Sequence, residues 1–348
     1  MVYYGALNLV FRDERQRIRK KIGNEAGSSS KPRNLPINYA LCLNIEDRAA
    51  TFFFTHYTTT GPPFCDSAAS QGATIMFESW NDSHAWTAHI EGATALLHLR
   101  GKGQFTRELG IQLYIQFRQQ ILQACMHRGV PVPPALVEIT MQFEASRRGT
   151  QYNSLRPGSL AVLGFRLVNL SAAMNTQQIT DANAIYRIAV DIDSDLNAWA
   201  SKSSQSDRKF HEIEADASKK ENNFNGREHV YNSVWGAQVW NNWRSLTIVT
   251  NRIILNHVDK QSFENNELKE IMRFHSTSVI HSLSADICTS TPSLSGTPRA
   301  PSMIWPLHIV SQEELNVPNV RSWAVEQLIG IRKLMGIKQA AVLATTMG

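Results

Sequence analysis

Apolar positions along this chain recur mostly at helical spacing. Leu160, Leu163, Leu167, Leu170 and Met174 follow one another at intervals of 3, 4, 3 and 4 residues, which puts them on one face of a helix. A short connection follows, with Thr180 as its candidate N-cap. A second stripe then runs Ile185, Ile188, Ile192, Asp195 or Leu196, and Trp199. Amphipathic helices joined this closely pack as an antiparallel pair. Residues 84–100 carry Ile90, Ala93 and Leu97 on one face, and Gly101-Lys-Gly103 ends that pattern. Residues 108–127 predict another helix, closed by Gly129 and Pro131. A long helix is expected from about 229 to 257, carrying Val234, Trp235, Val239, Trp240, Trp243 and Ile248. Further helices are expected over 266–289 and about 318–344.

Other stretches break the helical pattern. Residues 46–57 are apolar and aromatic-rich, and period alone cannot choose between buried helix and strand there. Residues 201–227 are polar and mixed in charge, which reads as an exposed loop. Residues 291–298 are turn-rich. No segment alternates strongly enough to predict a sheet. The expected fold class is all-α, a multi-helix bundle or stacked antiparallel helix pairs with no significant sheet.

Composition narrows the class. The 348 residues are 43% hydrophobic and 19% charged, enough apolar material for a sizeable core. Four cysteines in that length exclude a disulfide scaffold. No apolar run is long enough to span a bilayer, and no signal peptide precedes the body, so a soluble intracellular protein is expected. Charge is unevenly placed. Residues 1–33 hold eight basic and three acidic side chains, leaving 27 of each sign in the remainder. The chain therefore divides into a basic arm and linker, 1–34, and a neutral helical body, 35–348. Arg15, Arg17, Arg19, Lys20 and Lys21 form a dense basic run within the arm. It is a candidate nuclear import signal or phosphate contact, and equally a solvated, helix-prone charge run. The segment from Gly27 to Pro32 reads as a flexible linker.

The search for chemistry is mostly negative. Cys42, Cys65, Cys125 and Cys288 are far apart in sequence, so no C-x-x-C metal or redox motif exists. His84 and His89 fall on different faces of their helix. His89-Ile-Glu91 matches half of a zinc deaminase signature, but the second half is absent. Neither a phosphate-binding loop nor a nucleophile elbow is present. Asp191, Asp193 and Asp195 alternate on a helix, so they are expected to fan around it. No metal site and no enzyme are expected. One cluster stands out by composition. Trp235, Trp240 and Trp243 lie within nine residues, beside Asn241, Asn242 and Arg244. Trp240, Trp243 and Arg244 could edge a ligand pocket or partner surface, or belong to an aromatic core helix.

Several segments together resemble a family. His89 to Phe105 is similar to the "G-A-x-x-L-L-x-x-R-G…Q-F" signature of fungal-specific transcription factors, and Val130-Pro-Val-Pro-Pro134 to its next segment. Val190 to Ala200 resembles its "D-x-x-L-x-x-W" helix, and Trp235 to Arg244 its "W-N-x-x-R" helix. Residues 285–292, 305–307 and 335–340 resemble its closing segments, and residues 9–14 and 47–54 fit as well. The order of these segments across almost the whole chain makes the resemblance specific.

The resemblance implies the all-helical regulatory region that follows a binuclear zinc-cluster DNA-binding domain. It implies a nuclear regulator of RNA polymerase II transcription, working through the transcription machinery or another DNA-binding factor, with a homodimer as one arrangement. Six closely spaced cysteines, which would hold the family's two zinc ions, have no counterpart in these 348 residues. No cofactor is therefore expected in this chain, zinc belonging only to a separate N-terminal module. Direct sequence-specific DNA binding by the chain alone is not expected either, because nothing fixes the basic arm in a groove. The alternatives are a helical small-molecule-binding or enzymatic protein with a discontinuous site, and a dimerisation scaffold.

Overall fold

The structure is a computed structural model that describes residues 83–106, 108–146, 159–204, 210–215, 223–260, 266–295, 297 and 299–335. The chain divides into two units, 1–49 and 50–348, and every described residue belongs to the second. The basic run Arg15–Lys21, the Gly27–Pro32 linker, residues 46–57, Cys42 and Cys65 lie outside the described residues, as do the side chains of His84 and His89.

Local chemistry sets most element ends. Helix α1, Ser83–Arg100, stops at Gly101, whose φ of 52° suits glycine. A 3-10 turn over Gly101–Thr106 follows. In it the buried Gln104 amide donates to the Leu97 and Gly101 carbonyls at 2.9 and 2.8 Å, satisfying helix-end acceptors. Helix α2, Glu108–Arg128, ends at Gly129 with φ 62°, and Val130 N donates back to Cys125 O at 3.1 Å. That left-handed glycine with a 6→1 bond is a Schellman stop. Pro134 then opens α3, Pro134–Ser146, at the one helical position where its missing N–H costs nothing.

Helix α4, Leu160–Asn175, is capped by the Ser159 hydroxyl, which accepts from Val162 N. Helix α5 spans Ala182–Ser204. Its cap is Asp181, which accepts from Asn183 N at 3.0 Å, rather than Thr180. A hairpin of β1, Phe210–Glu214, and β2, Arg227–Tyr231, leads into α6, Val234–Val258. Helix α7, Asn266–Ser290, and two 3-10 turns precede α8, Ile304–Gln312, and α9, Pro318–Met335.

Among the described residues the fold is all-α but for this one two-stranded antiparallel sheet. Helix α6 lies at the centre, packed against α4, α5, α7, α8 and β2. Leu163, Leu167 and Leu170 of the first stripe are buried against Ile185, Ile192, Leu196 and Trp199 of the second. Ile188 is the member that faces outward, 39% exposed, and Leu196 rather than Asp195 completes the stripe. Tyr114, Ile121, Leu136, Phe143, Ile287 and Leu328 are fully buried in the other apolar cluster.

Three expectations are corrected. The stretch 201–227 is not simply an exposed loop: it contains the end of α5, strand β1 and the buried residues Ala215, Asn223 and Phe224. Strand β1, Phe-His-Glu-Ile-Glu, offers no apolar alternation to read: Phe210 is half-buried, the other four residues are exposed, and Phe210 and Ile213, three apart, fall on opposite faces. The helix expected from 229 begins at Val234, because residues 227–231 form β2 and Ser233 is the N-cap, its hydroxyl accepting from Gly236 N at 3.0 Å. Of the three aspartates only Asp193 points away from the others. Asp191 and Asp195, one helical turn apart, both grip Arg166 of α4, while Asp193 accepts from Asn251 of α6 at 2.6 Å.

Gly164 marks a close helix approach in this arrangement. A Cβ there would lie 2.7 Å from Leu122 Cδ2 and 3.6 Å from Leu246 Cδ1, so α4 is pressed against both α2 and α6. Gly164→Val is expected to destabilise the fold by about 1–3 kcal/mol through overpacking. Urea unfolding checks it: the midpoint falls while the slope is unchanged.

Candidate functional site

The Trp-rich segment occupies the first half of α6, and the hairpin lies over it. Trp240 is 4% exposed. Its ring meets Trp199 of α5, Phe210 of β1 and Trp243 edge-on, with centroids 5.6, 5.3 and 5.4 Å away. Edge-to-face contacts of this kind fix ring orientation as well as burying area. Trp243 donates its indole N–H to Leu196 O at 2.9 Å, tying α6 to α5. Trp235 points elsewhere: it is 40% exposed, with the Arg299 guanidinium 6.0 Å above its ring.

Arg244 is fully buried, so its charge demands partners. Its Nη1 donates to Tyr231 Oη at 2.7 Å and to Asn241 Oδ1 at 3.0 Å. Its Nε lies 3.5 Å from Asp286 Oδ2 of α7, the carboxylate that balances it. The Phe210 ring sits 4.8 Å from the guanidinium carbon and adds a cation–π contact. Asn241 Oδ1 accepts a second bond, from Ser290 Oγ at 2.7 Å. Four elements, β1, β2, α6 and α7, thus converge on one side chain.

The same geometry assigns the His229 proton. Arg244 Nη2 is 3.3 Å from His229 Nδ1, and Tyr231 Oη is 3.2 Å from it. A guanidinium can only donate, so Nδ1 is an acceptor and the ring proton sits on Nε2. That Nε2 faces two carboxylates, Glu212 Oε2 at 3.6 Å and Asp286 Oδ1 at 3.9 Å. Burial, with the Arg244 charge adding to it, pushes the His229 imidazolium down to about pKa 3, so the ring is neutral at physiological pH. Burial pushes the Asp286 carboxyl up, and Arg244 opposes that shift. With Nδ1 already accepting and Nε2 carrying a proton, His229 presents no lone pair to a metal or a substrate.

Of the residues singled out in the sequence, the structure brings Trp240, Trp243 and Arg244 together, with the Trp243 indole and the Arg244 guanidinium donating to protein acceptors. Sequence reasoning missed His229, Tyr231, Asp286 and Phe210. The available signal was an arginine in the middle of an aromatic-rich helix expected to be buried, where its charge must meet a carboxylate from elsewhere. A second such pair was also missed. Arg118 of α2 is 7% exposed, lies over the Tyr114 ring at 5.2 Å, and has Glu144 of α3 at 4.0 Å. Cys125 and Cys288 are buried free thiols, and burial pushes Cys125 up to about 12. Among the described residues no group of three or more His, Cys, Asp or Glu side chains is placed to hold a metal ion. No described helix is long and apolar enough to cross a membrane.

No family model matches the chain, and neither a curated protein nor a solved structure matches it with significance.

Two predictions follow from the buried network. Arg244→Met leaves Asp286 and the Tyr231 hydroxyl without their cation and is expected to cost about 3 kcal/mol. That is the low end for a broken buried pair, because Asp286 still reaches solvent; chemical denaturation measures it. His229 makes stability pH-dependent. Its folded-state pKa of about 3 lies below the value of about 6.5 in an unfolded chain, so the unfolded state binds the extra proton between them. Stability from this group is complete above about pH 6.5 and falls as pH drops toward 3, by about 2 kcal/mol between pH 7 and pH 5. Comparing wild type with His229→Gln across that window isolates the effect: the variant loses this share of the acid slope.

Proposed function

We propose that this chain is a helical regulatory module of a fungal zinc-cluster type of transcription factor, acting in the nucleus on RNA polymerase II transcription. It reaches DNA through another factor or through a separate zinc-cluster module. The observation that supports the reading is where the resembling segments meet. Leu196 and Trp199 of the "D-x-x-L-x-x-W" segment, Trp240 of the "W-N-x-x-R" segment and Trp305 of the closing segment belong to one buried cluster. Arg244 of the second segment is the buried charge to which the hairpin and α7 are tied. Residues that recur together in a family and pack together in one core mark a shared scaffold, and a scaffold of this kind presents surfaces to partners.

On this reading the chain acts by exposing or masking a partner surface. An effector can bias it only by binding one arrangement better than the other. A reporter assay tests the proposal. The full chain, fused to a foreign DNA-binding domain, is expected to raise or lower transcription from a promoter bearing that domain's site. Output equal to the foreign domain alone, in every growth condition tried and with the fusion present at normal abundance, would overturn it.

A further inference from the structure

Among the described residues, strand β1 has an open edge. Ala215 N donates to Gly226 O at 2.8 Å, so that pair is a hydrogen-bonded one. Pair types alternate along an antiparallel ladder. With Glu212 opposite His229 and Glu214 opposite Arg227, Phe210, Glu212 and Glu214 turn their N–H and C=O groups away from β2. The same alternation turns the His229 carbonyl outward on β2, where Ser293 Oγ donates to it. The outer side of β2 is thus occupied, whereas among the described residues β1 pairs only with β2. His211, Glu212, Ile213 and Glu214 are all exposed. Such an edge is a template for another extended chain.

Charge chooses the occupant. Side chains directly opposite on paired strands approach within about 5 Å, so like charges there are unfavourable. A second copy of β1, paired antiparallel about Glu212 or between Glu212 and Glu214, would set at least one glutamate of each copy against a glutamate of the other. The described hairpin residues carry three glutamates, Glu212, Glu214 and Glu228, against the single arginine Arg227, which pairs with Glu212 at 2.7 Å. Asp286 adds to the field, since it and Glu212 both lie within 4 Å of His229 Nε2 (3.9 and 3.6 Å). On the opposite face of β1, Ile213 is 44% exposed and offers an apolar contact. We propose that the outer edge of β1 docks an extended segment of a partner protein in which basic and apolar residues alternate. The segment adds a third strand: its backbone pairs with Glu212 and Glu214, its basic side chains face those carboxylates, and its apolar side chains cover Ile213. This surface does not depend on the regulatory reading.

The test uses the full chain and three capped hexapeptides: alternating Lys and Val, alternating Glu and Val, and the Lys-Val peptide N-methylated on the residues that would donate to β1. Calorimetry is expected to show binding of the Lys-Val peptide, with the Glu-Val and N-methylated peptides each weaker by about tenfold or more. Glu214→Lys, at an exposed position, is expected to weaken the Lys-Val peptide several-fold. No binding of the Lys-Val peptide overturns the proposal. So does equal binding of its N-methylated form, which would leave bulk charge attraction without strand addition. Unchanged affinity in Glu214→Lys overturns the choice of occupant, and self-association of the chain abolished by the Lys-Val peptide but not by its N-methylated form would assign the edge to a second copy.

Discussion

Helix α6 is buried along almost its whole length, and the rest of the structure answers that constraint. A helix with solvent on one face can leave its polar side chains to water, but α6 has no such face. Gln238, Asn241, Asn242, Arg244, Ser245, Thr247, Thr250 and Asn251 are all buried. Each polar group must be met by protein or its desolvation is uncompensated. Serines and threonines bond back to their own helix, as Ser245 does to Asn241 O and Thr250 to Leu246 O, both at 2.8 Å. The long side chains reach neighbouring elements instead: Asn242 to Gln123 of α2, Asn251 to Asp193 of α5, Gln238 to Arg299 and Arg244 to Asp286 of α7. At the other end Arg252, only partly buried, pairs with the 6% exposed Glu313 beyond α8.

These contacts are directional in a way apolar packing is not. An apolar stripe accepts several rotations of its partner with little loss, whereas a guanidinium shared between a phenol, an amide and a carboxylate accepts very few. The Arg244 network therefore fixes where the hairpin sits on α6 and how α7 is aligned beside it. Apolar burial supplies most of the driving force for collapse. The polar partners select one arrangement among those that bury similar area.

The hairpin follows from the same logic. A two-stranded sheet alone is marginal in water. Here it persists because Phe210, His229 and Tyr231 turn inward onto Trp240 and Arg244. Its inner face is consumed by the core and one edge is held by Ser293, leaving the acidic edge of β1 facing outward. Among the described residues the hairpin departs from the all-helical plan, and its strand β1 turns backbone groups outward.

The chain's own pattern determined the helices. The leucine stripe at 160–174, the Gly129 stop and the Pro134 start all act within one or two turns, so local spacing carries their whole physical cause. The all-α class and the pairing of α4 with α5 were legible for that reason. Strand β1 was not, because its apolar residues do not alternate and Glu212 finds its partners, His229 and Arg227, more than a dozen residues away. For the candidate site, the sequence marked Trp240, Trp243 and Arg244 as a cluster but left open whether they faced a ligand or the core. What they touch was decided only by the tertiary structure, which places Asp286, 42 positions along the chain from Arg244, and the hairpin's Tyr231 and His229 around the guanidinium. A buried charge requires a partner, and sequence spacing does not say which distant residue that will be.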